Sequence, residues 1–244
     1  MPCRPGPCAL LVAALLAGCW GSDGKVGELV AVFTQQAAVD GQTAGGGAPL
    51  EPGATLGTDA TGSARFRIFA PVLDCHLLSA STVEVKPGGG EAFELRAGEV
   101  VCDQRGGSPA AIRIGGTTTE LADAAVAIEY RDDRATTKSL RGDVSFGPEG
   151  GNEAVTVEAG KQATSAEGGA PAPPRAFDYD QLPPAQREAA LDLDPDILAS
   201  SGHSPTTGTG PAPTSTTTTP TPTPATAGDR TVTSQVRIRP PPAP

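Results

Sequence analysis

The sequence predicts an all-β domain, an antiparallel sandwich or jelly-roll-like arrangement of many short strands, followed by a disordered C-terminal tail. Short runs in which apolar and polar residues alternate recur at roughly ten-residue spacing, with turn residues between them. The sequence shows no alternation of strands and helices, which is the pattern that would indicate a parallel α/β sheet. Glycine and proline contribute 31 and 25 of the 244 residues and aromatic residues only 4%, which favours a modest core and long irregular segments.

Residues 1–18 have the pattern of a lipoprotein signal peptide. Arg4 precedes an apolar run over residues 9–17, and this run is followed by Gly18 and Cys19. The run is too short to span a bilayer, which takes about twenty residues. Leu16-Ala17-Gly18-Cys19 resembles the recognition sequence of bacterial lipoproteins, in which the cysteine sulfur is diacylated. Cys19 is therefore the predicted lipid attachment site, and residues 19–24 are a predicted lipid-proximal linker. The alternative is an ordinary secreted protein cleaved near Ala17.

Residues 25–166 are the predicted β domain. The first strand covers residues 25–33, and a glycine-rich loop over residues 40–49 separates it from a short strand near residue 55. The clearest two-residue alternation begins at Ala64 and places Phe66 and Ile68 on one face. Further apolar alternations predict the remaining strands: Cys75 and Leu77, Val83 and Val85, Phe93 and Leu95, Val100 to Cys102, Ile112 and Ile114, Ala124 to Tyr130, Thr136 to Leu140, Val144 and Phe146, and Val155 and Val157.

The composition changes near Ala166. Residues 167–200 are interpreted as a linker with a possible short helix over residues 183–191, with proline in its first turn. Residues 201–244 form the Thr/Pro-rich tail, which cannot bury enough apolar area to offset its ordering entropy. Within the tail, residues 231–239 alternate like an edge-pairing strand, or they end the chain as a loose segment.

The composition also limits the partners. The formal net charge is −10, and removal of Arg4 with the signal makes it −11. Nucleic acids and anionic bilayer surfaces require clustered Lys and Arg, which this acidic chain lacks. We therefore expect no nucleic-acid partner, and contact with the membrane through the lipid alone.

Cys75 and Cys102 are the two cysteines that remain besides the anchor. In an exported protein, such a pair is expected to form a disulfide, which would tie together the ends of a series of short strands. A metal site and a reactive thiol are the other readings. Neither cysteine belongs to a CxxC pair, and of the two histidines only His76 is near, so we expect no metal and no cofactor.

The β region resembles a FecR-type domain over about residues 24–166. The resemblance is carried by "TGSARFRI" and "CHLLSASTVEVKP" within residues 61–87, "FELRAGEV" at 93–100, and "SLRGDVSF" and "VTVEAGKQA" within 139–163. It implies an extracytoplasmic β module that binds, senses or scaffolds. The chain departs from the family pattern over residues 117–128 and in having Cys75 and Cys102. It also lacks the membrane-spanning helix and cytoplasmic segment with which FecR contacts a sigma factor.

No residue set predicts catalysis. The sequence contains no GxSxG elbow, and neither histidine has a visible nucleophile partner, so His76 is interpreted as a surface strand residue. Arg141-Gly142-Asp143 is interpreted as a turn rather than an adhesion motif. Asp192, Asp194 and Asp196 have the opening spacing of a calcium loop but lack its glycine and its bidentate glutamate. Asp59, Asp132 and Asp133 are interpreted as solvated turn residues.

The leading functional hypothesis is a non-enzymatic, membrane-anchored envelope lipoprotein on the periplasmic or cell-surface side. Its FecR-like domain would bind or scaffold another envelope component, a protein or a polysaccharide. The alternative is an extracytoplasmic signalling subunit that acts with a membrane-spanning regulator through residues 231–239. A third hypothesis is a glycan-acting enzyme that uses loop carboxylates.

Overall fold

The computed structural model describes residues 24–33, 36–150, 153–166 and 168–199. Cys19 and the tail over residues 201–244 lie outside these ranges. The described strands, in chain order, are β1 (Gly27–Phe33), β2 (Ala37–Val39), β3 (Gln42–Ala44), β4 (Pro49–Leu50), β5 (Thr55–Thr58), β6 (Ser63–Phe69), β7 (Val72–Leu77), β8 (Thr82–Gly88), β9 (Glu91–Asp103), β10 (Ala110–Ile114), β11 (Thr117–Leu121), β12 (Ala125–Arg131), β13 (Arg134–Arg141), β14 (Val144–Pro148), β15 (Val155–Val157), β16 (Lys161–Ala166) and β17 (Arg175–Ala176). A 3-10 turn (Tyr179–Gln181) and the helices α1 (Pro184–Leu193) and α2 (Asp196–Ala199) follow them.

The strands form two sheets that share β9. Sheet A runs in the order β4-β1-β6-β7-β9-β12-β13-β16-β17, and all of its pairs are antiparallel. Sheet B runs in the order β3-β2-β5-β8-β9-β10-β11-β14-β15. Its β9–β10 pair is parallel. The N-terminal half of β9 therefore belongs to sheet B and its C-terminal half to sheet A.

Gly98 lies where β9 passes between the sheets. Ala97 pairs with β8 in sheet B, whereas Gly98 pairs with Tyr130 of β12 in sheet A. The Gly98 backbone has φ +88°, and a Cβ there would lie 2.6 Å from the Cα of Ser81. Glycine is therefore required by both the dihedral angle and the close approach.

The core lies between the inner faces of the two sheets. It contains Phe66 of β6, Phe93 of β9 and Phe146 of β14, all fully buried. Phe66 and Phe93 meet edge to face, with ring centroids 5.4 Å apart, a favoured aromatic geometry. The predicted all-β sandwich is thus confirmed, and the inward residues of the alternating runs are those that fill the core.

A second apolar cluster lies on the outer face of sheet A. Ala189 and Ala190 of α1 and Ile197 of α2 pack there with Leu78, Tyr179 and Leu182, over outward-facing residues of three strands: Val101 of β9, Ala125 and Ala127 of β12, and Leu140 of β13. Helix α1 extends two residues beyond the range predicted from the sequence. The segment interpreted as a linker therefore holds two helices that bury Ala189, Ala190 and Ile197 against a sheet. Among the described residues, no helix is long and apolar enough to cross a membrane.

Candidate functional site

Cys75 and Cys102 form a disulfide across neighbouring strands of sheet A. The two residues are directly opposed in the β7–β9 register, their Cα atoms are 4.1 Å apart, and both are fully buried. The bridge joins β7 to the C-terminal half of β9. It closes a loop with a sequence separation of 27 that contains β8 and the crossing at Gly98.

Asp59 and Arg141, two of the residues singled out in the sequence, have structural partners. The Asp59 carboxylate accepts hydrogen bonds from the backbone N–H groups of Thr61 and Gly62, as a turn residue does. The Arg141 guanidinium donates to Asp103 Oδ1 at 2.7 Å and to Asp123 Oδ1 at 3.2 Å. Arg141 ends β13, and Gly142 turns the chain toward β14 with φ +71°.

The aspartates over residues 192–196 do not converge on one point. Asp194 is buried and pairs with Arg105, whereas Asp192 faces His76 on sheet A. Among the residues that the structure describes, no group of three His, Cys, Asp or Glu side chains is arranged to hold a metal ion.

His76 is buried rather than exposed, which corrects its interpretation as a surface residue. Its Nε2 lies 3.2 Å from Ser63 Oγ, and its Nδ1 lies 3.3 Å from Asp192 Oδ2. Its ring stacks on Phe33, with centroids 5.1 Å apart. Ser63 belongs to β6 and Asp192 to α1, so the fold brings together a serine, a histidine and an aspartate that are far apart in sequence. They line a pocket of about 380 Å³.

This Ser-His-Asp group has only part of what acyl transfer needs. Burial lowers the pKa of His76, and the nearby Asp192 carboxylate opposes that shift only in part, which favours the neutral ring that a general base requires. The Nδ1 atom, however, has no well-aligned hydrogen bond to Asp192. The N–H groups of Thr61 and Gly62, which just precede Ser63, are already donated to Asp59, so they are not open to a developing oxyanion. The contacts of His76 instead join α1 to sheet A.

A second and larger feature is an open depression of about 810 Å³ on the outer face of sheet A, beside the area that α1 covers. Lys138, Gln162 and Arg175, here called the cationic row, are register partners across β13, β16 and β17. Because directly opposed residues of paired strands point to the same face, the three side chains lie side by side along it. The row spans the strands at the floor and edge of the depression.

The two cations of the row have no carboxylate within ion-pair distance among the described residues. Lys138 Nζ donates to Gln186 Oε1 at 3.1 Å, and Gln186 Nε2 donates to Glu99 Oε2 at 2.8 Å. Burial lowers the pKa of Lys138, although Glu129 and Glu99 oppose this shift. With the side-chain amide of Gln162 turned to face it, Arg175 donates to the Gln162 oxygen at 3.0 Å.

The opposite wall of the depression comes from the segment that leads into α1. Phe177, which is partly buried and packs on Tyr179 with centroids 4.8 Å apart, presents an aromatic surface. Asp178 accepts from the backbone N–H of Asp180 at 2.9 Å and so begins the 3-10 turn. Asp180 and Gln181 also line the depression. The feature therefore combines cations, carboxylates, amides and one aromatic ring.

Neither group was predicted from the sequence. Ser63 ends a predicted turn and Lys138 lies in a predicted strand. Asp192 and Arg175 lie in the predicted linker, where Asp192 was considered only for a calcium loop. The one available signal was the two-residue alternation, which points both Ser63 and His76 away from the core and so places them on the same face of the sheet. The alternation of apolar and polar residues in the strands does not predict that α1 packs over that face.

No protein-family model matches this sequence, and no curated protein matches it. Two crystal structures of a candidate anti-sigma factor from Parabacteroides distasonis ATCC 8503, at 1.65 and 2.50 Å resolution, are similar in structure. Each has 12% sequence identity and a TM-score of 0.44. The matches cover 57% of this chain and 65% and 64% of the other chains, so the similarity spans less than two thirds of their length.

Proposed function

We propose that this protein is a non-enzymatic envelope lipoprotein, anchored through Cys19, whose β domain binds or scaffolds another envelope component. The lipid anchor is supported by the lipoprotein recognition sequence at residues 16–19, and the extracytoplasmic β module is supported by the FecR-like strand pattern. The binding surface is the part of the outer face of sheet A that α1 leaves uncovered.

The contrast between the two parts of that face carries the proposal. Where α1 and α2 lie, the face is apolar and covered by Ala189 and Ala190 of α1 and Ile197 of α2. Beside it, over β13, β16 and β17, the face carries the open depression with the cationic row. Among the described residues no carboxylate lies within ion-pair distance of the half-buried Lys138, and Glu129 and Glu99 offset the loss of solvation free energy only in part. A bound partner that supplies acceptors would recover part of that cost.

The anchor is tested by metabolic labelling with palmitate. We expect the wild-type chain to be labelled and to fractionate with membranes, whereas Cys19→Ala should be unlabelled. Label that persists in Cys19→Ala, or that is absent from the wild type, would contradict lipid attachment at this residue.

The binding surface is tested by crosslinking in intact envelopes followed by affinity capture. We compare wild type, Arg175→Ala and Lys138→Gln with Lys25→Ala, which removes the same charge from an exposed residue outside the depression. A partner recovered with wild type and Lys25→Ala, but reduced in the other two, supports the proposal. Equal recovery from all four proteins would exclude this face.

The nature of the captured partner separates the two functional classes. A polysaccharide or a scaffold protein fits the leading proposal. A membrane-spanning regulator whose capture is lost on deletion of residues 229–244 would instead indicate the signalling subunit.

A further inference from the structure

We infer that the depression over the cationic row binds an acidic glycan, with a sugar carboxylate placed between Lys138 and Arg175. This inference rests on the proposed function, because it names the chemical class of ligand for the same face.

The row has the geometry of a carboxylate site. Neighbouring strands are about 4.8 Å apart, so Lys138 and Arg175, two strands apart, have their backbones about 10 Å from each other. Their long side chains can close on one planar anion from both sides, with the Gln162 amide between them. Arginine forms two parallel hydrogen bonds to a carboxylate, and lysine adds a point charge.

The opposite wall is unfavourable to a small anion that carries only negative charge. Asp178 and Asp180 face the same depression, and these carboxylates would repel a phosphate or sulfate that offered only negative charge. A uronic acid sugar carries hydroxyl groups that donate to Asp180 and accept from Gln181, in addition to its carboxylate. The charge pattern of the site, cationic at the row and acidic on the far wall, matches a ligand that has both kinds of group.

The position of the depression favours a glycan over an acidic peptide. Extended peptides bind by adding a strand to an open sheet edge. The floor here is the face of β13 and β16, whose backbones already pair with their neighbours, and the edge strand β17 offers only two residues for such an addition. A peptide lying across that face would gain no ladder of backbone hydrogen bonds from it, whereas a sugar ring carries its polar groups around its rim and can rest its apolar face near Phe177.

The test is isothermal titration calorimetry of the detergent-solubilised full-length protein with four probes. These are oligouronates (galacturonate and mannuronate), the corresponding methyl esters, poly-glutamate and inorganic phosphate. The methyl esters keep every ring hydroxyl and remove only the charge. We expect the oligouronates to bind and the esters to bind about tenfold more weakly, the effect of losing a charged hydrogen bond.

The variants locate the site. Arg175→Ala, at an exposed residue of a two-residue strand, should weaken oligouronate binding about tenfold, and Lys138→Gln should have a similar effect. Lys25→Ala should leave it unchanged. A melting temperature equal to that of wild type shows that a variant is folded. If Lys138→Gln loosens α1, Arg175→Ala alone decides the result.

Several outcomes would overturn the inference. Equal binding of acid and ester would show that the carboxylate is not recognised, and poly-glutamate or phosphate binding as tightly as the oligouronates would assign another ligand class. No binding of any probe, together with envelope capture that depends on Arg175, would refute the glycan and leave the proposed function standing. Capture that is independent of Arg175 would refute the proposed surface itself.

Discussion

Reduction of the Cys75–Cys102 bridge gives the most direct quantitative test of the fold. Each cysteine lies on its own strand of the same sheet, and the strands pair through backbone hydrogen bonds whether or not the sulfurs are joined. Reduction should therefore leave the folded state largely unchanged and act on the unfolded chain. With a sequence separation of 27, the loop-entropy relation gives a loss of about 3.5 kcal/mol of unfolding free energy.

The assay is urea unfolding followed by circular dichroism, with and without a phosphine reductant. With a urea dependence of about 1–3 kcal/mol per molar, the midpoint should fall by at least about 1 M. The double variant Cys75→Ala/Cys102→Ala should lose more than the reduced wild type, because both sulfurs are fully buried and their removal also leaves a cavity.

Two results would contradict the predicted effect of disulfide reduction. A reduced protein whose unfolding free energy stays within about 1 kcal/mol of the oxidised value would refute the entropy reasoning. A folded-state spectrum that changes on reduction would show that the bridge is needed to hold β7 beside β9, and that the ladder alone does not suffice.

Three further changes test the strand crossing and the docking of α1. Gly98→Ala should cost about 2 kcal/mol or more in urea unfolding, because of its positive φ and the overlap with Ser81; Gly45→Ala, where a Cβ meets open space, should cost far less. Because burial lowers the pKa of His76 in the fold, the unfolded chain binds more protons, so stability should be complete above about pH 6.5 and fall below it, by at most about 1.4 kcal/mol per pH unit. The pH dependence of stability should disappear in His76→Gln. A pH dependence that remains in this variant would show that other groups cause it. Gln186→Ala, which removes the hydrogen bonds joining α1 to β9 and β13, should destabilise α1 by about 2 kcal/mol and speed tryptic cleavage within it, whereas unchanged cleavage would mean that apolar packing alone holds the helix.

The alternating pattern was sufficient to predict the sandwich and its interior. Phe66 and Ile68 share a face in sequence and in the core, because a strand has only two faces and one of them must be apolar. The pairing of Cys75 with Cys102 was also predictable, because they are the two cysteines that remain besides the predicted signal peptide and lipid attachment site, and such a pair is expected to be oxidised in an exported protein. These inferences depend on local period and composition.

The candidate sites depend on contacts between residues far apart in sequence, which the alternation of apolar and polar residues within one strand cannot predict. The cationic row joins Lys138, Gln162 and Arg175 from three strands, and only the register of sheet A aligns them. Helix α1 reads as a weak helix in a proline-rich segment, and its apolar residues are mostly alanines. Its docking follows from the small outward side chains of β12, Ala125 and Ala127, which leave room for a helix to approach closely.

We expect the Ser63-His76-Asp192 group to have a structural role, although its residue types are those of a hydrolase triad. The 3.2 Å between His76 Nε2 and Ser63 Oγ is within hydrogen-bond reach, whereas His76 Nδ1, 3.3 Å from Asp192 Oδ2, has no well-aligned hydrogen bond to it. The N–H groups of Thr61 and Gly62 are occupied by Asp59 and cannot serve as oxyanion donors, and the loss of such a donor costs a nucleophile a large share of its rate. We therefore expect Ser63 not to react with a fluorophosphonate probe, as judged by intact-protein mass spectrometry beside a serine hydrolase as positive control. Labelling that disappears in both Ser63→Ala and His76→Gln would show an active nucleophile, and the non-enzymatic proposal would then have to be abandoned.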